Sequence, residues 1–286
     1  MGIKSNLLAI GVSLTMGSAA MATTATTIIS DTFPSTQGQG SGAYVVGSAA
    51  YPTDVPGTKW QTNYEGSTMT NANQPFISNN SMIFPDASAG NVSAGIGFTP
   101  SNNGVLSLTA TLTWAGGEWI GMGFGNSAST AGPGNSGPWV LMDRAGSSLQ
   151  LFGQNGSSNY VPSTTNSSGT NVAIPLGSNT NTITFTYDPA SMVETVSVSD
   201  STNTDYITAT VPLSDFTVGG KAITTPPTIN SIWFGTRAGN PNGSSVSDVT
   251  LTEGPAQVVP EPATVGLMGL GAAAGLLLIG RRRKLV

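Results

Sequence analysis

The sequence predicts an all-β protein, an antiparallel β-sandwich with a targeting segment at each end of the chain. Three observations lead to this prediction. Apolar and polar residues alternate with period two, no long helical pattern lies between the two ends, and charged residues make up only 8% of the chain. Gly, Ser, Thr and Asn dominate instead, which suits short strands joined by turns because Gly and Asn tolerate positive φ and Thr packs well on a pleated surface.

The clearest strand runs from Val105 to Trp114. Alternate residues of this segment are apolar, and the residues between them are small and polar. This pattern predicts a half-buried antiparallel strand with one face on the core. The apolar face consists of Leu106, Leu108, Ala110, Leu112 and Trp114, and the polar face of Ser107, Thr109, Thr111 and Thr113.

The next strand is unusual because its second face is glycine. Ile120, Met122 and Phe124 share one face, with Gly121 and Gly123 opposite. A glycine inside a strand lets another backbone or a ligand approach closely. We therefore expect something to pack tightly on this face.

A hairpin follows further along the chain. Residues 182–187 alternate, and Asp188-Pro189-Ala190-Ser191 matches a type I turn with Asp first and Pro second. Val196 and Val198 then return on one face of a second strand. Further strands are predicted at Trp139–Met142, Leu149–Phe152, Ile207–Val211, Ile232–Phe234 and Val249–Leu251.

Two residue types are missing from the chain, Cys and His. Their absence excludes disulfides, thiolate nucleophiles, Cys-ligated zinc, and the usual general base of a Ser or Cys triad. Most familiar hydrolase chemistries are excluded with them. Pairs of carboxylates and a calcium ion remain possible chemistries.

The charge is strongly acidic between the two ends. From Thr23 to Val259 the chain has 13 acidic residues and four basic ones, Lys59, Arg144, Lys221 and Arg237. Such a surface repels a phosphate backbone, so nucleic-acid binding is excluded.

The N-terminus has the three parts of a signal peptide. Lys4 gives a positive start, residues 7–16 are apolar, and Ala20-Met21-Ala22 offers a small-x-small cleavage site. The apolar run is too short to span a bilayer. We predict that signal peptidase removes residues 1–22 after cleaving at Ala20-x-Ala22, which leaves residues 23–258 as the ectodomain.

The C-terminal tail, residues 259–286, has three parts in a fixed order. Pro260-Glu261-Pro262 comes first, then the uncharged segment 263–280, then a basic cluster of Arg281, Arg282, Arg283 and Lys284. The uncharged segment as a helix is about 27 Å long, enough to cross a bilayer. The basic cluster stays on the cytoplasmic side by the positive-inside rule.

These three parts resemble the PEP-CTERM sorting signal of Gram-negative bacteria, which exosortases recognise. The resemblance covers about the last 28 residues. It implies transient anchoring in the inner membrane, proteolytic removal of the tail, and release to the cell surface or the exopolysaccharide matrix.

The ectodomain resembles the concanavalin A-like and laminin-G-like jelly rolls, which often accompany such tails. The likeness lies in residues 118–125 (EWIGMGFG), 184–189 (TFTYDP) and 247–251 (SDVTL). It is a likeness of pattern over about 220 residues. It implies two packed antiparallel sheets, a concave face and frequent carbohydrate binding.

Glycoside hydrolases also use this fold, so a hydrolase is the alternative to a structural or carbohydrate-binding protein. Retaining enzymes need two carboxyl groups about 5–5.5 Å apart. The chain has no E-x-D run, Glu118 stands alone, and Glu194 lies beside a hairpin where a solvated residue is expected. We therefore predict no catalytic residues.

Two aromatic residues follow loops of small polar residues and are candidates for stacking on sugar rings. Trp139 follows GNSGP and Tyr160 follows GSSN. Loops of this kind often carry binding residues. Both residues could equally close the edge of the core, where a buried indole stabilises strongly.

A structural Ca²⁺ is the one cofactor that the sequence suggests. Asp31 lies just after the signal peptide and Asp248 near the end of the domain. They could meet if the first and last strands pair, and related jelly rolls sometimes hold Ca²⁺ there through carboxylates and backbone carbonyls. Two exposed surface acids are the other interpretation.

Overall fold

The structure is a computed structural model. It describes the following residues: 24–34, 43–44, 59–64, 74–85, 90–100, 104–116, 118–128, 137–143, 148–165, 171–173, 175–237 and 243–254. The predicted signal peptide, the PEP triplet, the segment 263–280 and the basic cluster lie outside these residues. Among those described, no helix is both long enough and apolar enough to cross a bilayer.

The described residues form strands and one short 3₁₀ helix, Leu213–Asp215. The strands are β1 (Thr26–Asp31), β2 (Ala43–Tyr44), β3 (Gln61–Tyr64), β4 (Phe76–Ser78), β5 (Ser81–Phe84), β6 (Asn91–Gly97), β7 (Leu106–Thr113), β8 (Trp119–Gly125), β9 (Trp139–Asp143), β10 (Ser148–Phe152), β11 (Asn159–Tyr160), β12 (Ser163–Thr165), β13 (Asn171–Ala173), β14 (Thr180–Asp188), β15 (Val193–Ser199), β16 (Ile207–Pro212), β17 (Thr217–Val218), β18 (Lys221–Ala222), β19 (Ser231–Arg237) and β20 (Ser244–Glu253).

Two large antiparallel sheets make up the domain. The nine-stranded sheet has the order β16-β15-β14-β7-β20-β5-β4-β2, with β1 also paired to β20. The seven-stranded sheet has the order β11-β10-β9-β8-β19-β6-β3. The chain passes repeatedly from one sheet to the other, as in jelly rolls. The predicted all-β, antiparallel β-sandwich is confirmed.

Strand β7 has the two faces that its sequence predicts. Its burial alternates strictly between buried and half-buried residues. On the polar face, Thr109 and Thr184 share a hydrogen bond at 3.0 Å between their hydroxyls, and the next two threonines of β7 pair with β14 in the same way. Cross-strand Thr pairs of this kind each stabilise a sheet by roughly 0.2–1 kcal/mol.

The core lies between the two sheets and is built from inward residues of both. The ring of Phe124 on β8 stacks on Phe185 of β14, with 5.6 Å between the ring centroids. At another point Trp60 lies between Phe33 and Phe234, at 5.8 Å and 6.1 Å. All five side chains are buried. Burial of each such ring contributes roughly 1.5–3 kcal/mol, so these contacts hold the sheets face to face.

The predicted hairpin is present as β14 and β15. Its turn is fixed by Asp188, whose two carboxylate oxygens accept hydrogen bonds from the Ala190 N–H at 2.9 Å and the Ser191 hydroxyl at 2.6 Å. An aspartate that bonds to the backbone two residues ahead stabilises a turn. Met192 then takes a positive φ of 55° to enter β15.

Candidate functional site

The outer face of the seven-stranded sheet, which points away from the core, is the candidate functional site. One row of register partners crosses all seven strands on this face. From one edge to the other it reads Gln61, Gly95, Trp233, Gly123, Trp139, Phe152 and Asn159. Amide side chains end the row, and aromatic rings separated by glycine fill its middle.

The glycines of β8 make room for the neighbouring strand. A Cβ on Gly123 would lie 2.4 Å from the Cβ of Trp139, and one on Gly121 would lie 2.7 Å from the carbonyl oxygen of Val140. Real Cβ atoms do not approach so closely, so glycine is required at both positions. The expectation of a close approach is confirmed, and the approaching group is β9.

An aromatic cluster occupies the centre of the outer face. The ring of Trp139 stacks on Phe152, with 4.0 Å between centroids and an interplanar angle of 10°. Trp119 and Trp233 lie 6.1 Å and 5.6 Å from the same indole. Together with Leu141 these residues form a second hydrophobic cluster, separate from the core. Offset and tilted aromatic pairs each contribute about 0.5–1.5 kcal/mol beyond their burial.

An open cleft of about 830 Å³, which we call the amide cleft, lies at the end of this sheet where β6 and β8 end and β19 begins. Phe98 and Ala128 form apolar parts of its wall, and both are buried. Amide, hydroxyl and ammonium groups provide the polar parts of the wall. These polar lining residues are Lys59, Gln61, Thr99, Asn126, Ser127 and Asn230.

Backbone hydrogen bonds hold the amide cleft in shape. Asn230 precedes β19, and its carbonyl accepts from the Phe98 N–H at 2.8 Å while its own N–H donates to the Gly125 carbonyl at 2.9 Å. The side chains of Asn230, Asn126 and Gln61 are exposed. Each such amide offers both donors and an acceptor, so the cleft can match groups that both give and accept hydrogen bonds.

A chain of polar side chains crosses the opposite edge of the same face. Asn159 donates to Gln150 at 3.1 Å, and Gln150 donates to a carboxylate oxygen of Asp143 at 2.6 Å. The three residues come from β11, β10 and β9. The outer face therefore has amide groups on both sides of its aromatic centre.

The two aromatic residues predicted to contact sugar lie on different sides of this sheet. Trp139 is 7% exposed within the aromatic cluster, whereas Tyr160 is 41% exposed. Tyr160 pairs with Leu151, a core residue, so its side chain starts from the inward side of edge strand β11. The sheet does not bring the two rings to one surface, and their roles as ligand contacts stay predictions.

The first and last strands do pair, as the calcium prediction required. Asp31 lies opposite Val249, next to Asp248. However, Asp31 is buried, with its oxygens accepting from the Phe33 N–H at 2.8 Å and the Trp60 indole N–H at 2.9 Å. Asp248 is exposed at a bulge with φ 53°.

A metal site is therefore not apparent at this pair. Within the described ranges, no group of three or more acidic, His or Cys side chains is close enough together to hold a metal ion. The Ca²⁺ assigned to Asp31 and Asp248 stays a prediction.

The two glutamates considered for hydrolysis have unlike surroundings. Glu118 forms an ion pair with Arg237 at 3.0 Å, and both side chains are more than half exposed. Glu194 was expected to be solvated, and that expectation is wrong: its side chain is fully buried on β15. Burial raises the pKa of the Glu194 carboxyl well above its usual range, because desolvation disfavours the charged form.

Other pKa shifts lie in the nine-stranded sheet and in the loop that follows β15. Burial, reinforced by the nearby carboxyl groups of Asp188 and Glu194, raises the pKa of Tyr187. Hydrogen bonds from Thr202 and Asn203 lower the pKa of Asp200 to about 2. These groups fix turns and packing and lie outside the outer face.

The sequence did not indicate the amide cleft. Its lining comes from four separate segments, at Lys59–Gln61, Gly97–Pro100, Asn126–Ala128 and Asn230. Each segment is an ordinary polar strand end in the sequence. Only the pairing of β3, β6, β8 and β19 brings them together.

Comparison with known families identifies the C-terminal tail. Residues 258–284 match the PEP-CTERM protein-sorting motif. The chain is therefore a β-sandwich ectodomain followed by a PEP-CTERM sorting motif, which indicates an exported protein processed at the membrane. No curated protein matches the sequence.

Solved structures with a similar fold include lectin domains. The exoplasmic/lumenal domain of VIP36 in its Ca²⁺/Man2-bound form is 10% identical, with 77% of this chain and 89% of that one covered and a TM-score of 0.49. A legume lectin-like domain from Entamoeba histolytica is 10% identical (69% and 90% covered, TM-score 0.44). Lectin II from Ulex europaeus is also 10% identical (75% and 97% covered, TM-score 0.42).

Proposed function

We propose that this chain is a surface or exopolysaccharide-matrix protein of a Gram-negative bacterium, processed by an exosortase, whose outer face binds neutral polysaccharide. The sorting motif at 258–284 supports the first part of the proposal. The tail holds the chain in the inner membrane until cleavage within or beside Pro260-Glu261-Pro262 releases the ectodomain.

The amide cleft is the main observation that supports polysaccharide binding. A sugar ring presents hydroxyl groups that both donate and accept, and the exposed amides of Gln61, Asn126 and Asn230 do the same. The cleft is open, so a polymer can pass through it without an end entering first. Among the described residues that line the cleft, Lys59 is the single charged one, which favours a neutral ligand.

The positions of the two glutamates support binding of polysaccharide without hydrolysis. Glu118 is committed to an ion pair at one end of the outer face, and Glu194 faces the core from the other sheet. A retaining hydrolase needs its two carboxyl groups about 5–5.5 Å apart in one cleft. We therefore propose no catalytic residues.

A pull-down with the exopolysaccharide of the source organism tests this function. The double variant Gln61→Ala/Asn126→Ala should retain less than about a tenth of the wild-type binding, since each lost hydrogen bond is worth about 1 kcal/mol. Asn179→Ala, an exposed amide on the loop before β14, is the matched control and should bind like the wild type. Equal binding by all three proteins would contradict the amide cleft as the site.

The predicted Ca²⁺ is tested separately. If Asp31 and Asp248 share an ion, removal of calcium with a chelator should lower the unfolding temperature of the wild type but not of Asp248→Ala. An unchanged unfolding temperature in the wild type would contradict the predicted calcium site. It would not affect the proposal for the amide cleft.

A further inference from the structure

One end of the sandwich contains a cavity of about 490 Å³ that the outer face does not use. Its walls are largely proline and aliphatic. Pro189 comes from the β14–β15 hairpin, Pro226 from the loop before β19, and Leu106 from the start of β7. Tyr187 and Glu253 add the polar groups. A mostly apolar pocket of this size with few polar groups is typical of a binding site.

The polar groups near this cavity include one without a partner. The Tyr187 hydroxyl is buried, and it has no hydrogen-bond partner in the part of the chain that the structure describes. A buried polar group left unpaired costs roughly 1–3 kcal/mol. An occupant that offers a backbone carbonyl to this hydroxyl would offset that cost.

The chain leaves the domain at the rim of the same cavity. Glu253, which lines it, is the last residue of β20, and the Gly254 N–H donates to the Val105 carbonyl at 2.8 Å. Beyond Gly254 the sequence reads Pro-Ala-Gln-Val-Val and then the PEP triplet. Five extended residues span about 17 Å, enough to follow the cavity from its rim.

We propose that residues 255–259 bind in this cavity as an intramolecular peptide. Proline and valine favour extended backbone, so little conformational entropy is lost when the segment binds along proline walls. A carbonyl of the segment accepts the Tyr187 hydroxyl proton in a hydrogen bond. The folded domain thereby holds the chain immediately before Pro260-Glu261-Pro262, and the triplet begins at the mouth of the cavity.

Disulfide trapping in the full-length chain tests the proposal, because the chain has no cysteine of its own. Val258→Cys is combined with Ala190→Cys, an exposed position that lines the cavity. The control combines Val258→Cys with Ala25→Cys. Ala25 is exposed and precedes Thr26, which pairs with Glu253 on the side of β20 away from β7. An unbound segment can therefore also reach it.

Disulfide formation is measured on the detergent-purified chain after mild oxidation, as the fraction of cysteine thiols that no longer react with maleimide-PEG. The cavity pair should form its disulfide at least about fivefold faster than the control pair, because binding raises the local concentration of the two thiols. Tyr187→Phe in the cavity-pair background should reduce this advantage. Thr228→Cys, also exposed in the cavity wall, serves as a second reporter if Ala190→Cys disturbs the hairpin.

A control pair that forms as fast as both cavity pairs would overturn the proposal. An advantage unaffected by Tyr187→Phe would overturn the assigned hydrogen bond. Neither result bears on polysaccharide binding at the amide cleft. The two sites share Pro100 among their described lining residues, but none of the substituted positions lines the cleft.

Discussion

Tyr187 and Glu194 are register partners on β14 and β15. The Tyr187 hydroxyl and both carboxyl oxygens of Glu194 are buried, and they have no hydrogen-bond partners in the described residues. A charged carboxylate in such surroundings would be strongly disfavoured. Glu194 is therefore held as a neutral acid, in agreement with the raised pKa of its carboxyl. This pair makes the stability of the hairpin depend on pH.

The first prediction follows from the sign of that shift. The folded state binds the Glu194 proton more tightly than the unfolded state. The contribution of Glu194 to the free energy of unfolding is thus highest below the ordinary glutamate pKa, about 4.3, and falls as the pH rises from there through the folded-state pKa. The glutamine side chain of Glu194→Gln does not titrate, so this variant should not show the same fall in the free energy of unfolding.

Urea unfolding of both proteins at a series of pH values checks the difference. Their free energies of unfolding should diverge as the pH increases, with the variant more stable at neutral pH. Parallel curves across the whole range would show that Glu194 is solvated in the folded protein. Asp200, whose lowered pKa acts at acid pH, is present in both proteins and does not affect the comparison.

The second prediction concerns the aromatic cluster. Trp139→Ala should lower the free energy of unfolding by about 2–4 kcal/mol, because the indole is almost fully buried against Phe152 and Trp233. Tyr160→Ala, which removes an exposed ring, should change it by less than about 0.5 kcal/mol. Thermal and urea denaturation give both values. A Trp139 variant as stable as the wild type would show that the indole is a surface group.

The third prediction tests the close approach of β8 and β9. Gly123→Ala should destabilise the fold by about 1–3 kcal/mol or more, since the added methyl would overlap the Cβ of Trp139. Gly97→Ala on the same face is the control, because its nearest neighbour, the Asn230 carbonyl oxygen, would be 3.7 Å away. Equal stability of the two variants would contradict the packing of β9 on the glycines.

Much of the fold could be predicted from the apolar pattern alone. The segment Val105 to Trp114 corresponds to β7, whose apolar residues alternate, and Trp139–Met142 to β9, which is a continuous apolar run. Strand β6 has no such signal, since its centre is the small-residue run Ser93-Ala94-Gly95. Pairing with β19 and β3 makes it a strand, and that pairing is a property of the tertiary structure.

The candidate site was harder to predict, for the same physical reason. Trp139 was chosen from the loop that precedes it, but its burial depends on Phe152 and Trp233 from two other strands. Glu194 follows the inward parity of Val196 and Val198, yet its position at a hairpin suggested solvent. How deeply a strand residue is buried depends on the side chains that other strands place around it.

The fourth prediction concerns processing of the two ends. The mature protein should begin near Thr23 and lack the segment 263–280 and the basic cluster. Replacement of Pro260-Glu261-Pro262 by alanines should keep the chain in the inner membrane. Intact-mass measurement of the extracellular and membrane fractions checks both expectations. A chain found only in full length, ending at Val286 in the membrane, would contradict them.

Hydrogen exchange of the processed protein, with and without the exopolysaccharide, tests polysaccharide binding at the outer face most directly. Backbone amides protected by a bound ligand exchange more slowly, and the affected peptides locate the contact. We expect slower exchange confined to peptides that contain residues 59–61, 97–100, 126–128 and 230, from the segments that line the amide cleft. Protection on the threonine face of β7 and β14 instead, or no protection at a saturating concentration of polymer, would contradict it.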